Sequence, residues 1–580
     1  MRAACLLIVF ALYKALVLAG RDIALSPWAP FAYLWQDVLV ALLFAAVDGA
    51  FRGRPWVGRG LYALAVLYTA ANVPVACLLS TPLTWPLLHA TRGTLADSIA
   101  HHVTAANLLR MAVIVGAGAA LPALLRRILP RVPLRLRVAA VVAAVVCLPL
   151  GPFAVGRVAT LGLHRNVLTV LVTTALPRIA AADLSGDWRL SPFGNPRAED
   201  LTRWRGAARG RNVVVIHLES TAARYLRPYG ADDDPMPNLT ALAREAILFE
   251  NAYTTYPETI KSFFATQCAL HPALDTAAEA YELAPAPSLA ALLRQSGYQT
   301  GLFHSGRFMY LGMDAVVRQR GYDTLEDAGA IGGDHESSFG IDEPSAVRRI
   351  LRWVDDRPPG RPFLVTYLPI AGHHPYLSPE GGPFPEAEDT GRYRNALHYA
   401  DAALGQLLDG LRQRGQYDNT LFLIFGDHGE AFGEHAGNYG HTLFLYEENL
   451  RVPYLIAAPG CVREQVRVGR IASLVDTAPT VLDLLGLPVP SPYQGASLLD
   501  GQSRMALFCT DYTLGLLGLR DGRWKLVHEL ESGRSRLYDL DADAGERHDL
   551  SAQFPERTEA YREHLLRWAA AQKYLVTRGK

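Results

Sequence analysis

Neither sign of charge is in excess in this chain: Lys+Arg and Asp+Glu each count 56 over 580 residues. Binding a phosphate backbone needs a basic surplus, so the balance argues against a nucleic-acid partner. Cysteine is scarce too, six in all, with no C-x-x-C pair and no dense, even spacing. That excludes a disulfide framework and a zinc knuckle. Cys5, Cys77 and Cys147 fall in apolar segments. Cys268, Cys461 and Cys509 remain for the soluble part, where one disulfide is open. No internal repeat and no low-complexity tract beyond an Ala/Arg bias is present, which excludes a repeat array.

Long apolar runs, in contrast, fill the first part of the chain. Residues 3–19, 30–50, 60–79, 107–125 and 138–156 are five stretches near membrane-spanning length. The first is not a signal peptide, because no small-residue cleavage site follows and four more apolar segments do. Arg52, Arg54 and Arg59 follow the second stretch; Arg126, Arg127, Arg131, Arg135 and Arg137 follow the fourth. The 80–106 loop carries Arg92, Asp97 and three histidines. Cytoplasmic loops retain Arg, so the amino terminus is expected inside and everything after the fifth stretch outside. Lys14, Asp37 and Arg110 lie in or near spans and read as side chains snorkelling towards the interface. Residues 157–182 are apolar but broken by His164, Arg165 and Pro177. They read as an interfacial helix, with 183–210 as a linker.

From residue 211 short β-branched runs alternate with helical stretches, which implies a largely parallel sheet covered by helices on both faces. PNLTALAREAIL reads as a helix with Asn238 as its cap. After about 500 the pattern turns to antiparallel strands ahead of a terminal helix at 554–573. The expected architecture is an α-helical membrane region followed by an α/β domain, with a small antiparallel C-terminal subdomain. The boundaries read as 1–156 for a five-span region, 157–210 for the juxtamembrane helix and linker, and 211–580 for the catalytic domain, with its subdomain at 500–580.

Two of the strands end in chemistry. NVVVIHL stops at Glu219 and LFLIF stops before Asp427-His428. Runs this apolar suit central parallel strands, whose carboxyl ends are where open α/β sheets bind ligands. Glu219, Asp427 and His428 offer oxygen and imidazole ligands for a divalent cation. Between them in sequence lies a hydroxyl-rich turn with Thr255, Thr259 and Ser262, each eligible as a nucleophile once activated. The set suggests metal-activated hydroxyl attack on a phosphoryl or sulfuryl ester.

NVVVIHLES, PNLTALAREAILFENAYT, FGDHGEAFGEH, SLVDTAPTVLDLLGLPVP and the tail WKLVHE…RLYDLDADAGERHDL occur in the order found in the alkaline phosphatase/sulfatase superfamily. The layout, with spans ahead of the catalytic part, resembles its membrane-anchored branch of lipoteichoic acid synthase-like and phosphoethanolamine transferase-like enzymes. The resemblance implies Thr259 as nucleophile and fourth metal ligand beside Glu219, Asp427 and His428. It implies His373 and His441 as substrate-binding residues, ahead of His374, His435 and His304. Sulfatases of the superfamily mature a C/S-x-P-x-R pentapeptide; here Cys268 is followed by Ala-Leu-His-Pro and no such motif occurs. The implied function is transfer of a phospho-alcohol group, of phosphoethanolamine or phosphoglycerol type, from a phospholipid donor to an envelope glycan or lipid acceptor. It would run through a phosphothreonine with one divalent ion, Mn or Zn ahead of Mg. The implied location is the bacterial inner membrane, multi-pass, with a periplasmic catalytic domain. A membrane-anchored sulfatase-like hydrolase or phosphodiesterase using the same site is the alternative.

Overall fold

An unbroken β-branched strand is stable only where both faces are covered, and the chain supplies two different covers for NVVVIHL. The computed structural model describes residues 1–19, 21, 26–79, 81–90, 103–158, 160–194, 197–283, 285–337, 339–379 and 381–578. Arg92 and Asp97 of the 80–106 loop lie outside the described residues. The main sheet is built from β1 (Asn212–Leu218), β2 (Ala246–Tyr253), β3 (Gln299–His304), β4 (Thr324–Glu326), β5 (Phe363–Leu368), β6 (Thr420–Gly426), β9 (Arg451–Val452), β10 (Tyr454–Ala457) and β11 (Val466–Ser473). A two-residue hairpin pair, β7 (Ala431–Phe432) and β8 (Tyr439–Gly440), stands apart from it. The order is β11-β2-β10-β6-β1-β5-β3-β4, with β9 on β2, so β1 lies inside the sheet. It pairs in parallel with β5 and β6; β10 runs antiparallel between β6 and β2.

Side-chain alternation along β1 then decides the layers. Val214, Ile216 and Leu218 join a core with Ile350 and Leu404, from helices Glu343–Asp355 and Asp389–Gln413. Val213 and Val215 face Leu293 and Val481, from helices Leu289–Gln295 and Thr477–Leu485. The expected α/β sandwich is therefore present. One element is shorter than expected: the helix after Met236 ends at Ala243 and β2 begins at Ala246. The AIL of PNLTALAREAIL belongs to the sheet because Ile247 and Leu248 pair with β10 and β11. Asn238 is not the cap; its side chain instead bonds Asp401. A second sheet, β12 (Ala506–Thr510), β13 (Leu516–Asp521), β14 (Trp524–Glu529) and β15 (Ser535–Asp539), is antiparallel, and Leu565 and Trp568 of the terminal helix Pro555–Thr577 pack against it. All six cysteines are free.

Among the described residues four helices, Ala29–Ala50, Pro55–Leu79, Ala105–Arg131 and Leu134–Val155, are long and apolar enough to cross a membrane. The first apolar stretch forms a 17-residue helix, Arg2–Leu18, whose Cys5, Leu6, Val9 and Phe10 are enclosed by the others. Lys14 and Asp37 do not snorkel. They form a buried ion pair of 2.7 Å, with Asn166 donating to Asp37 at 2.7 Å and Lys14 donating to the His164 carbonyl at 2.9 Å. Buried among the helices, each charge is more cheaply kept beside its partner than left alone. The segment read as an interfacial helix over 157–182 is helical only at Val167–Thr173. Its Arg165 is buried between the two parts of the molecule, donating to the Thr513 carbonyl and to Thr81, both at 2.8 Å.

Removing one member of the ion pair leaves the other buried and uncompensated. Lys14→Met is expected to destabilise the full chain by about 3–5 kcal/mol, and Lys14→Met with Asp37→Leu to recover most of it. Thermal unfolding of the detergent-solubilised protein measures both; equal melting points for the single and double variants would count against the pair.

Candidate functional site

β1 and β6 are in register, Leu218 opposite Gly426, so the next residues on each, Glu219 and Asp427, emerge side by side at one end of the sheet. The chain cannot continue straight there. Ser220 takes φ 51°, a conformation costly outside glycine, and this turn lets its N–H donate to Asp427 Oδ1 at 3.0 Å. Tyr393 donates to the Ser220 carbonyl at 2.6 Å and fixes the turn from the helix above. The glycines framing Asp427-His428 have a steric cause. A Cβ on Gly426 would stand 2.2 Å from the Thr221 carbonyl oxygen, and one on Gly429 would stand 2.0 Å from that of Glu448.

Thr259 is the first residue of the ten-residue helix Thr259–Cys268. Its hydroxyl donates to Glu219 Oε2 at 3.0 Å and lies 3.4 Å from His428 Nε2. His428 Nε2 is 3.6 Å from both Glu219 Oε1 and Asp427 Oδ2. Ligand atoms of Glu219, Asp427 and His428 all lie within 4.8 Å of one another, and all three residues are buried. The four residues expected to converge therefore do so. Of the other hydroxyls in the turn, Thr255 Oγ1 and Ser262 Oγ are buried without a hydrogen-bond partner among the described residues, and neither touches the trio.

These donors fit a divalent cation. Asp427 Oδ2 is buried and meets no hydrogen-bond donor among the described residues. His428 turns Nδ1 to the Gly429 carbonyl at 3.0 Å, so the Nε2 lone pair faces the carboxylates. Burial, then the neighbouring Asp427, pushes Glu219 up to about 7; burial likewise pushes Asp427 up to about 7. Two carboxylates packed together away from water require a positive charge to stay ionised.

The expected substrate-binding histidines line the same cleft. The His441 ring stacks on His428 with centroids 4.1 Å apart, and His373 is 6.2 Å from His441. His373 stacks on Phe339 at 3.8 Å and turns Nδ1 to the His374 carbonyl at 2.7 Å. Burial lowers His428 and His441 to about 4 and moves His373 downward. All three imidazoles are therefore neutral near pH 7. The weaker candidates have structural duties. His304 caps Leu368 and stacks on Phe308; His435 bonds Glu448 at 2.7 Å and stacks on Tyr446.

Glu430 is the residue that sequence reasoning missed. It accepts from His441 Nδ1 at 2.7 Å and from Tyr376 at 2.5 Å, and with His428 and His441 makes a second group able to hold a metal. Its signal was in the motif itself, an acid two residues beyond His428 in FGDHGE. With Nδ1–H committed to Glu430, His441 presents Nε2 as a proton acceptor. Glu430→Gln is expected to lower turnover about 10- to 100-fold by loosening that orientation while metal content stays within error. Metal analysis alongside rates checks this; loss of metal would reassign Glu430 as a ligand.

The chain is similar in sequence and in fold to several known proteins. Residues 211–487 match the sulfatase family model, and 433–567 match the C-terminal model of N-sulphoglucosamine sulphohydrolase. The chain is 25% identical over 318 residues to the lipoteichoic acid synthase-like YvgJ of Bacillus subtilis, covering 51% of each. It is 31% identical over 226 residues to arylsulfatase K of Bos taurus, covering 34% of this chain and 41% of that protein. The chain thus spans about half the length, or less, of these curated relatives. A solved protein of the alkaline phosphatase superfamily from Vibrio parahaemolyticus superposes with a TM-score of 0.53 at 20% identity, over 70% of this chain and 96% of that one. Residues 211–487 are thus similar to the sulfatase family, and the chain has the fold of that solved protein of the alkaline phosphatase superfamily.

Proposed function

We propose that the protein is a membrane-anchored, metal-dependent phosphotransferase that moves a phospho-alcohol group from a phospholipid to an envelope acceptor through a phosphothreonine. The observation that carries this reading is the Thr259 hydroxyl, set at a helix amino terminus, bonded to Glu219 and facing His428. A sulfatase maturation motif is missing, and Cys268 sits at the opposite end of that helix, fully buried. Glu219, Asp427, His428 and Thr259 would hold one divalent ion; the donor set of two carboxylates, one imidazole and one hydroxyl favours Mn²⁺ or Zn²⁺ over Mg²⁺. When bound, the ion supplies a lowered threonine pKa and countercharge for the phosphoryl oxygens.

The protein's own groups do the rest. Thr259 Oγ1 attacks phosphorus as the bond to the diacylglycerol oxygen breaks. The threonine proton leaves to Glu219 Oε2, the acceptor its hydroxyl already bonds at 3.0 Å, and the His441 imidazole relays it to the departing alkoxide. In the second half the acceptor hydroxyl attacks the phosphothreonine, and its proton returns by the same imidazole to Thr259. The helix amino terminus favours the negative charge on the modified threonine. His373 contributes a second imidazole to bind the phosphoryl group. The membrane region, read as five crossings over 1–156 with the amino terminus inside, would keep the 211–580 domain in the periplasm near the headgroup plane and raise its effective concentration of donor.

Water in place of the acceptor gives the second reading, a phosphodiesterase or sulfatase-like hydrolase, supported by the likeness to arylsulfatase K. Diacylglycerol release by the full chain decides between them. A rate that rises with added acceptor supports transfer; a rate indifferent to acceptor, or cleavage of an aryl sulfate ester, supports hydrolysis.

A further inference from the structure

Phe339 lies against His373 with ring centroids 3.8 Å apart and planes 29° apart, and Tyr310 stacks on Phe339 at 4.7 Å and 14°. The backbone around Phe339 is fastened to the end of β3. Ser337 Oγ accepts from the Phe339 and Gly340 N–H groups at 3.2 and 3.1 Å. The Ile341 N–H donates to the Ser305 carbonyl at 2.8 Å, and Gly340 bridges Gly306. Only glycine allows that approach: a Cβ on Gly340 would stand 2.0 Å from the Ser305 carbonyl oxygen. One buried carboxylate then sets this segment against the turn that carries His373. Glu343, 1% exposed, accepts from Ser305 Oγ at 2.5 Å and from the Ile370 and Ala371 N–H groups at 2.7 and 2.9 Å. The His373 N–H in turn donates to the Ile370 carbonyl at 3.0 Å. Both rings of the stack are thus tied, through their own backbones, to a single side chain.

The imidazole needs such a hold. Its Nδ1 bonds the His374 carbonyl at 2.7 Å, and a ring held by one hydrogen bond can still tilt about it. A flat ring against its face removes that freedom and leaves the Nε2 edge for substrate. We propose that Phe339 is a positioning residue for His373, backed by Tyr310 and kept in register by Glu343. The inference rests on the phosphoryl-binding role given to His373 above and adds the group that fixes its direction. A displacement of about 1 Å at a binding group is enough to cost a large part of its effect.

The test is a double-mutant cycle on the detergent-solubilised, Mn²⁺-loaded full chain, with inorganic phosphate as the calorimetric probe. Phe339→Ala is expected to weaken phosphate binding about tenfold in the parent and less than about twofold beside His373→Ala, because the ring then has nothing to hold. Phe339→Tyr keeps the flat face and is expected to bind phosphate within about twofold of the parent. Phe339→Leu keeps apolar volume without the face. It is expected to behave as the alanine variant does, and it stands in where that variant fails to fold. Equal losses with and without His373, parent-like affinity in the alanine and leucine variants, or no phosphate binding by the parent overturns the proposal. Coupling between Phe339 and His373 without any phosphothreonine in the parent during turnover keeps the positioning role and ends the transferase reading. Phosphothreonine with equal losses in both backgrounds does the reverse.

Discussion

Thr259→Ala is expected to lower turnover by about 10³-fold or more and to leave the metal content of the purified protein unchanged. The argument is one of counting donors. Glu219, Asp427 and His428 bring their ligand atoms within 4.8 Å of one another without help from the threonine. The hydroxyl adds one neutral oxygen to that set, so its loss removes little affinity. It removes the one hydroxyl of the turn that bonds the trio, because Thr255 Oγ1 and Ser262 Oγ make no hydrogen bond among the described residues. Thr259→Ser separates the two roles of the side chain: it keeps the oxygen and should retain measurable turnover. Activity of Thr259→Ala near that of the parent would remove the threonine from the mechanism.

Asp427→Asn is expected to behave differently and to lose both metal and turnover. It removes a full charge from a buried site where Oδ2 has no other partner among the described residues, while the amide still accepts from the Ser220 and His428 N–H groups through Oδ1. The fold therefore survives and the cation does not. The same site makes metal binding depend on pH. Glu219 and Asp427 titrate near 7 in the metal-free protein against about 4 in an unfolded chain. Their folded values are raised, so they favour the folded state most below about pH 4, and that contribution is lost as pH rises through 7. A divalent ion offsets the loss by binding the ionised forms. The melting-point gain from added metal should thus grow between pH 5 and pH 8, and grow less in Asp427→Asn. A gain that is flat across that range would mean that these carboxylates are not the ligands.

Much of this site was legible before any coordinates, for a definite physical reason. Buried parallel strands announce themselves as unbroken β-branched runs, and polar residues that interrupt them must sit at strand ends. Glu219 and Asp427-His428 were found that way, and their meeting follows from β1 and β6 being neighbours in register. Adjacency itself was not legible, since the strands are separated by most of the domain. The same limit hid Glu430, whose importance comes from two residues that only the fold brings to it, Tyr376, 54 positions away in sequence, and His441, 11 positions away. The choice among Thr255, Thr259 and Ser262 needed the family register, because which hydroxyl faces the metal ligands depends on the phase of a helix that starts at Thr259. Lys14 and Asp37 were misread for a related reason. Sequence shows a charge within an apolar run, and only the packing of two helices shows that the charges meet. The apparent helix over 237–248 failed at the point where hydrogen bonding to β10 and β11 outweighed the periodicity of AREAIL.

The most direct test of the account is the covalent state of Thr259 during turnover. The full-length protein, supplied with a divalent metal and phospholipid and without acceptor, is quenched in acid, digested and sequenced by tandem mass spectrometry. The account predicts a phospho-alcohol adduct on Thr259, lost on addition of acceptor and missing from Thr259→Ala. An adduct on Thr255 or Ser262, or steady release of diacylglycerol with no modified residue, would contradict it.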